Sequence, residues 1–193
     1  ANTGNDLLDG GEGDDRLRGS LGDDIIIGGP GTDRLIETMV DTLAVGVTLT
    51  DTEMTGDLGT DSLSSIERRL VVGNDFDNKI TATGSSLPNV FIGGKGRDTL
   101  TGGLVNDFLN GKADHDSLDG GPGDDYLAGG AGKDFLRGGE GDDDLRGQGA
   151  NDTLRGDAGD DTLRGGIGYD RVFETGDTNA TVTDSAMTGR GTD

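Results

Sequence analysis

From Gly84 to Phe173 the sequence falls, without a gap, into ten consecutive blocks of nine residues. They read GSSLPNVFI, GGKGRDTLT, GGLVNDFLN, GKADHDSLD, GGPGDDYLA, GGAGKDFLR, GGEGDDDLR, GQGANDTLR, GDAGDDTLR and GGIGYDRVF. A shorter array opens the chain: a partial block ending GNDLLD, then GGEGDDRLR, GSLGDDIII and GGPGTDRLI, closing at Ile36. A short fixed period marks a repeat architecture, in which each block buries its apolar side chain only by stacking on its neighbours. The consensus is G-G-x-G-x-D-x-U-x, with U a bulky apolar residue. Glycine at positions 1, 2 and 4 permits positive φ and close backbone approach within a six-residue turn. The last three residues suit a short strand whose middle side chain points inward. The expected inward stripe is Leu8, Leu17, Ile26 and Leu35, then Phe91, Leu100, Leu109, Leu118, Leu127, Leu136, Leu145, Leu154, Leu163 and Val172.

Composition alone points elsewhere. With 39 Gly, 30% hydrophobic residues and a net charge of −22, there is little apolar surface to offset ordering entropy, and the default is disorder. The repeat overrides that default. Composition does restrict the chemistry. There is no Cys, so disulfides and thiolate metal sites are excluded, and His115 is the single imidazole, too few for zinc. Carboxylate and carbonyl oxygens are plentiful, which favours a hard cation such as Ca²⁺. The acidic balance argues against nucleic acid or an anionic membrane surface as partner. No apolar run reaches the length needed to insert across a membrane, and no amino-terminal export signal is read.

The blocks resemble the RTX (hemolysin-type calcium-binding) repeat family, over about 126 of the 193 residues. One GGxGxD carries little weight; this many copies in strict register carry a great deal. The resemblance implies an all-β fold, a right-handed parallel β-roll (a β-solenoid) with Ca²⁺ between stacked turns. Two blocks make one coil, so block n stacks on block n+2. A secreted, extracellular or cell-surface parent protein, exported by type I secretion machinery, is implied as well.

Energetics require the ions. One buried Leu or Ile contributes roughly 1.5–3 kcal/mol, whereas ordering the nine backbones of its block costs on the order of 9–18 kcal/mol. Stacked strands lie about 4.7–4.9 Å apart, close to the ~4.6–5.2 Å that separates two oxygens on opposite sides of one Ca²⁺. An ion therefore fits between two turns, with position-6 carboxylates and turn carbonyls as ligands. The expected metal residues are Asp6, Asp15, Asp24 and Asp33, then Asp98, Asp107, Asp116, Asp125, Asp134, Asp143, Asp152, Asp161 and Asp170. Asn89 stands in that place in the first block of the long array and predicts a weaker site.

At position 5 the two edges of the long roll differ. Asn106, Asp124, Asp142 and Asp160 make one edge acidic; Arg97, His115, Lys133, Asn151 and Tyr169 make the other mixed or basic. The acidic edge is expected to attract calcium more strongly. Val105, Asp114 and Ala150 break the glycine rule at position 4, and Lys112, Gln148 and Asp157 at position 2, so these turns are expected to adjust or to bind less well. Pro30, Pro88 and Pro122 fall in expected turns.

Four segments follow: a first array at 1–36, a spacer at 37–83, a second array at 84–173 and the start of a second spacer at 174–193. The first spacer is expected to continue the β-solenoid without the consensus, the alternative being a small separate insert. Its end, GNDFDNKIT at 73–81, is a degenerate block with Asn78 at position 6. TLTDTEMTGDLGTD at 48–61 corresponds to TVTDSAMTGRGTD at 181–193, so array plus spacer recurs and the parent is expected to carry further units.

Three functions compete. The first is a calcium-binding module that folds after secretion and serves as a structural element of a larger extracellular protein. The second is a part of a secreted enzyme; the chain itself has no Gly-x-Ser-x-Gly elbow, HExxH or P-loop, so no catalytic residue is assigned. The third is a binding module for extracellular polysaccharide or a cell surface, for which Arg137, Arg146, Arg155 and Arg164 at position 9 are candidates, charge balance being the plainer account.

Overall fold

The structure, a computed structural model, describes residues 3–38, 46–50, 52–57, 59–173 and 181–183. Among them every regular element is a strand. The first array forms β1 (Leu7–Asp9), β2 (Arg16–Leu17), β3 (Ile25–Ile27) and β4 (Arg34–Thr38). The spacer forms β5 (Gly46–Leu49), β6 (Glu53–Gly56), β7 (Gly59–Ser64), β8 (Arg68–Val72) and β9 (Lys79–Thr81). The second array forms β10 (Asn89–Gly94), β11 (Thr99–Thr101), β12 (Phe108–Ala113), β13 (Ser117–Pro122), β14 (Tyr126–Ala131), β15 (Phe135–Glu140), β16 (Asp144–Gly149), β17 (Thr153–Ala158), β18 (Thr162–Ile167) and β19 (Arg171–Phe173). Last comes β20 (Thr181–Thr183), which stacks on β18; the rest of 174–193 lies outside the described residues.

Successive blocks alternate between two sheets, so the chain winds as a parallel β-solenoid of about nine turns. Within an array each strand pairs in parallel with the one two blocks on. Leu118 meets Leu136, which meets Leu154, while Leu127 meets Leu145, which meets Leu163. The period-two alternation of a strand turns position 8 inward, and the core is two facing single files of these residues. The whole stripe is buried except Leu8 and Val172 at the ends, which are partly covered.

Strands in the middle of the second array are longer than the expected three residues. β13 to β18 each span six, running through positions 1 to 3 of the following block, so Pro122 ends a strand rather than sitting in a turn. The cause is stacking: Gly121 pairs with Gly139 and Pro122 with Glu140, so the first half of each turn joins the ladder of the coil beside it.

The spacer returns to the same two sheets. β7 lies parallel to β3 with Leu63 opposite Ile26, β8 bridges β4 and β10, and β9 carries β11. Between them β5, β6 and β7 form an antiparallel meander, whose Val47, Leu49, Met54 and Leu63 extend the core. Across this seam the stacking interval changes from eighteen residues to twenty, Asn89 lying opposite Arg69 and Thr99 opposite Lys79.

Candidate metal centre

All thirteen expected aspartates stack into rows, one along each edge of each array. In every row the position-6 N–H donates to Oδ1 of the aspartate one coil on. Asp98 donates to Asp116, Asp116 to Asp134, Asp134 to Asp152 and Asp152 to Asp170, at 2.8–2.9 Å. Asp107 donates to Asp125, Asp125 to Asp143 and Asp143 to Asp161, at 2.7–2.8 Å. The first array has the same links from Asp6 to Asp24 and from Asp15 to Asp33, both at 2.8 Å. Asp6, Asp15 and Asp170 are half-buried at row ends, and the others are buried.

Oδ1 is thus engaged in Asp24 and Asp33 and, with the Asn78 and Asn89 N–H groups donating to Asp98 and Asp107, throughout the second array. The second oxygen is not: Oδ2 of Asp15, Asp24, Asp33, Asp98, Asp116, Asp125, Asp134, Asp143, Asp152 and Asp170 is buried with no hydrogen-bond donor. A buried carboxylate oxygen without a partner is costly, and repetition along each row excludes accident. The glycine at position 1 leaves the space beside it. A Cβ on Gly10 would stand 2.6 Å from Asp15 Oδ2 and 2.6 Å from the carbonyl oxygen of Gly28, in the next coil. The same pairing of position-6 carboxylate and next-coil carbonyl surrounds Gly93, Gly120, Gly138 and Gly147. A cradle of one carboxylate and main-chain oxygens, closed to any side chain at position 1, suits a hard cation. Among the described residues no three acidic or imidazole side chains form a metal cluster.

Burial, reinforced by neighbouring carboxylates, pushes Asp98, Asp116, Asp143 and Asp152 up to about 7 and Asp125 to about 8. Burial raises Asp107 and Asp134 as well. Only a proton or a cation relieves such a group.

Asp107 departs from the pattern. Its Oδ2 accepts the Gly103 N–H at 2.5 Å, and its Oδ1 accepts both the backbone and side-chain N–H groups of Asn89. Its turn is the one containing Val105, and neither Gly103 nor Val105 has positive φ, so here the missing position-4 glycine reshapes the turn. The other exceptions keep the glycine conformation: Lys112, Asp114, Gln148, Ala150 and Asp157 hold φ between 76° and 84°.

Two row members escaped the sequence reading. Asp61 continues the Asp6–Asp24 row, its Oδ1 accepting the Asp24 N–H at 2.9 Å, and Glu67 continues the Asp15–Asp33 row, accepting the Asp33 N–H at 2.7 Å. Asp61-Ser62-Leu63 repeats the D-x-U spacing and was the available signal; Glu67 is followed at that spacing by Arg69 and gave none. Burial pushes Asp61 up to about 6 and Glu37 to about 7.

Position 5 forms outer ladders of its own. Asp124, Asp142 and Asp160 each donate an N–H to the position-5 side chain of the preceding coil, at 2.8–3.0 Å, along a groove of about 590 Å³. On the other edge exposed His115 accepts the Lys133 N–H through Nδ1. The arginine series is engaged: Arg137 and Arg155 pair with Asp157, and Arg146 and Arg164 with Asp144, as charge balance requires.

The family model for the RTX calcium-binding nonapeptide repeat matches the chain in four copies, over residues 1–35, 83–104, 102–136 and 137–172. No curated protein matches it significantly.

Proposed function

The chain belongs to the RTX calcium-binding nonapeptide repeat family and binds several Ca²⁺ ions, and from that premise we propose a module unfolded where Ca²⁺ is scarce and folded where it is plentiful. The β-roll of this family is a non-catalytic structural module. Here it serves as a folding element of a larger secreted protein, held open during export, by the type I route common to the family, and closed outside the cell.

One observation carries the reading: the rows of buried Oδ2 atoms have no donor in the protein. Position-6 aspartates and position-1 carbonyls hold the ions, and each ion neutralises charge that burial would otherwise force to protonate. At about ten times its Kd each ion adds about 1.4 kcal/mol, so roughly eight add a domain's worth of stability. Weak sites of about 10⁻⁴–10⁻³ M suit a switch thrown on leaving the cell.

Limited proteolysis at free Ca²⁺ of about 10⁻⁷ M and about 10⁻³ M tests this. The reading expects rapid, distributed cleavage at the low concentration and resistance across both arrays at the high one. Equal resistance at both would remove the switch.

A further inference from the structure

The sheet that stacks β2, β4, β8, β10, β12, β14, β16 and β18 in that order has an outer face divided by charge. At one end strand alternation turns Arg16, Arg34 and Arg68 outward, and pairing sets Arg16 opposite Arg34 and Arg34 opposite Arg68. Like charges directly opposite one another in a sheet are unfavourable. The arginines of the second array pair with Asp144 and Asp157, whereas Arg16, Arg34 and Arg68 pair with no carboxylate among the described residues. With Arg18 they leave this end basic even beside Asp14. At the other end Asp124, Asp142 and Asp160 are exposed along the groove, and Asp144 lines it too.

Between the two ends the face is apolar. Ile36 lies opposite Leu70, Leu70 opposite Val90, Val90 opposite Phe108 and Phe108 opposite Tyr126, with Val72 opposite Ile92 alongside. All are half-buried or exposed, on a chain only 30% hydrophobic. A contiguous apolar patch rimmed by charge marks an interaction surface. The Phe108 and Tyr126 rings stack at 4.8 Å, and the Arg146 guanidinium lies 4.7 Å from the Tyr126 centroid. Tyr126 is thus covered on both faces and offers a sugar ring no platform.

Basic end, apolar middle and acidic end are complementary to the same pattern reversed. We propose that this face binds a second copy of the chain, antiparallel, about a two-fold axis that lies in the interface, runs along the strands and passes between β10 and β12. That operation sets β2 opposite β18, β4 opposite β16 and β8 opposite β14 of the other copy. Arg16 then faces Asp160, Arg34 faces Asp142 and Asp144, and Arg68 faces Asp124, each contact made twice, while the apolar rows meet at the centre. Parallel solenoids would instead set arginine on arginine and aspartate on aspartate. Strand spacing and rise give a face of about 34 Å by about 20 Å, so two copies bury on the order of 1,000 Å², the lower bound for a specific interface. Bound Ca²⁺ offsets part of the net charge of −22 that holds copies apart, so the dimer rests on the calcium reading and belongs to the Ca²⁺-bound chain.

Sedimentation equilibrium of the unaltered chain in saturating Ca²⁺, with circular dichroism on the same sample, tests the proposal. A mass of twice the 19.7 kDa chain is expected. A folded monomer would overturn the dimer and leave the calcium reading intact. Arg34→Glu and Asp142→Arg should each weaken the dimer at least about tenfold, and the two changes together should restore most of the loss. A dimer that neither change weakens, or that the double variant does not restore, would place the contact elsewhere and overturn this interface.

Discussion

In the interior of the second array Asp116, Asp125 and Asp134 each accept, through one oxygen, the amide N–H one coil back and leave the other oxygen buried without a donor. At the seam just before it the same row positions are filled by Asn78, Asn89 and Arg69. Asn78 closes on Asn74 through two hydrogen bonds of 2.9 Å, and Asn89 gives its side-chain N–H to Leu87 O and Asp107 Oδ1. Arg69, fully buried, donates to Ser85 Oγ at 2.7 Å and Asn89 Oδ1 at 3.5 Å. The coil is the same, but an amide carries its own donor and a guanidinium carries its own charge. The seam brings its cation in the chain; the array takes its cations from solution.

The largest consequence is spatial. As free Ca²⁺ falls, hydrogen exchange followed by mass spectrometry should show residues 93–170 losing protection before residues 68–92. The total loss scales as about 1.4 kcal/mol per ion at tenfold saturation. Protection lost first at the seam would invert the comparison.

Next comes pH. Asp98, Asp116, Asp125, Asp143 and Asp152 titrate higher in the metal-free fold than the 3.8 of an ordinary aspartate, so that fold binds more protons than the unfolded chain. Its stability is greatest below about 4 and falls as pH rises through about 7. In chelator, acidification from neutral pH toward 5 should therefore increase β structure by circular dichroism. A loss of β structure over that window would contradict the shifts.

Two substitutions sharpen the contrast. Arg69→Leu removes the donor to Ser85 Oγ and Asn89 Oδ1 and the positive charge beside Asp107, and should cost about 2–4 kcal/mol at either of two Ca²⁺ concentrations that keep the chain folded. Asp134→Asn removes one ion's ligand and should cost about 1.4 kcal/mol in tenfold-saturating Ca²⁺, and less as Ca²⁺ is lowered toward the site's Kd. Urea unfolding at two Ca²⁺ concentrations, both above the folding midpoint, gives the four numbers. The smallest effect is Gln148→Gly, which relieves a positive φ of 78° and should stabilise the Ca²⁺-bound chain by about 1 kcal/mol.

What the sequence made legible is what repeats. The leucine file and the aspartate rows follow from a nine-residue period because each block meets a copy of itself. Strand length was not legible, since positions 1 to 3 become β only when an identical turn lies alongside, as with Gly121 and Gly139. The seam was hidden for a different reason. A two-residue change in stacking interval puts Arg69 opposite Leu35 on one side and Asn89 on the other. No local pattern announces that a charged side chain there faces inward. Asp61 stood between these cases: Gly56, Gly59 and Leu63 hold positions 1, 4 and 8 of its block, but Asp57 replaces the second glycine and the block stands alone between segments without the period.

Titrating the purified chain with Ca²⁺ while recording far-ultraviolet circular dichroism, with Mg²⁺ as control, tests the central claim most directly. The account predicts a cooperative gain of β signal with Ca²⁺ and none with Mg²⁺, whose octahedral demand and tightly held water do not suit these cradles. A β spectrum already complete in chelator and unchanged by Ca²⁺ would contradict it.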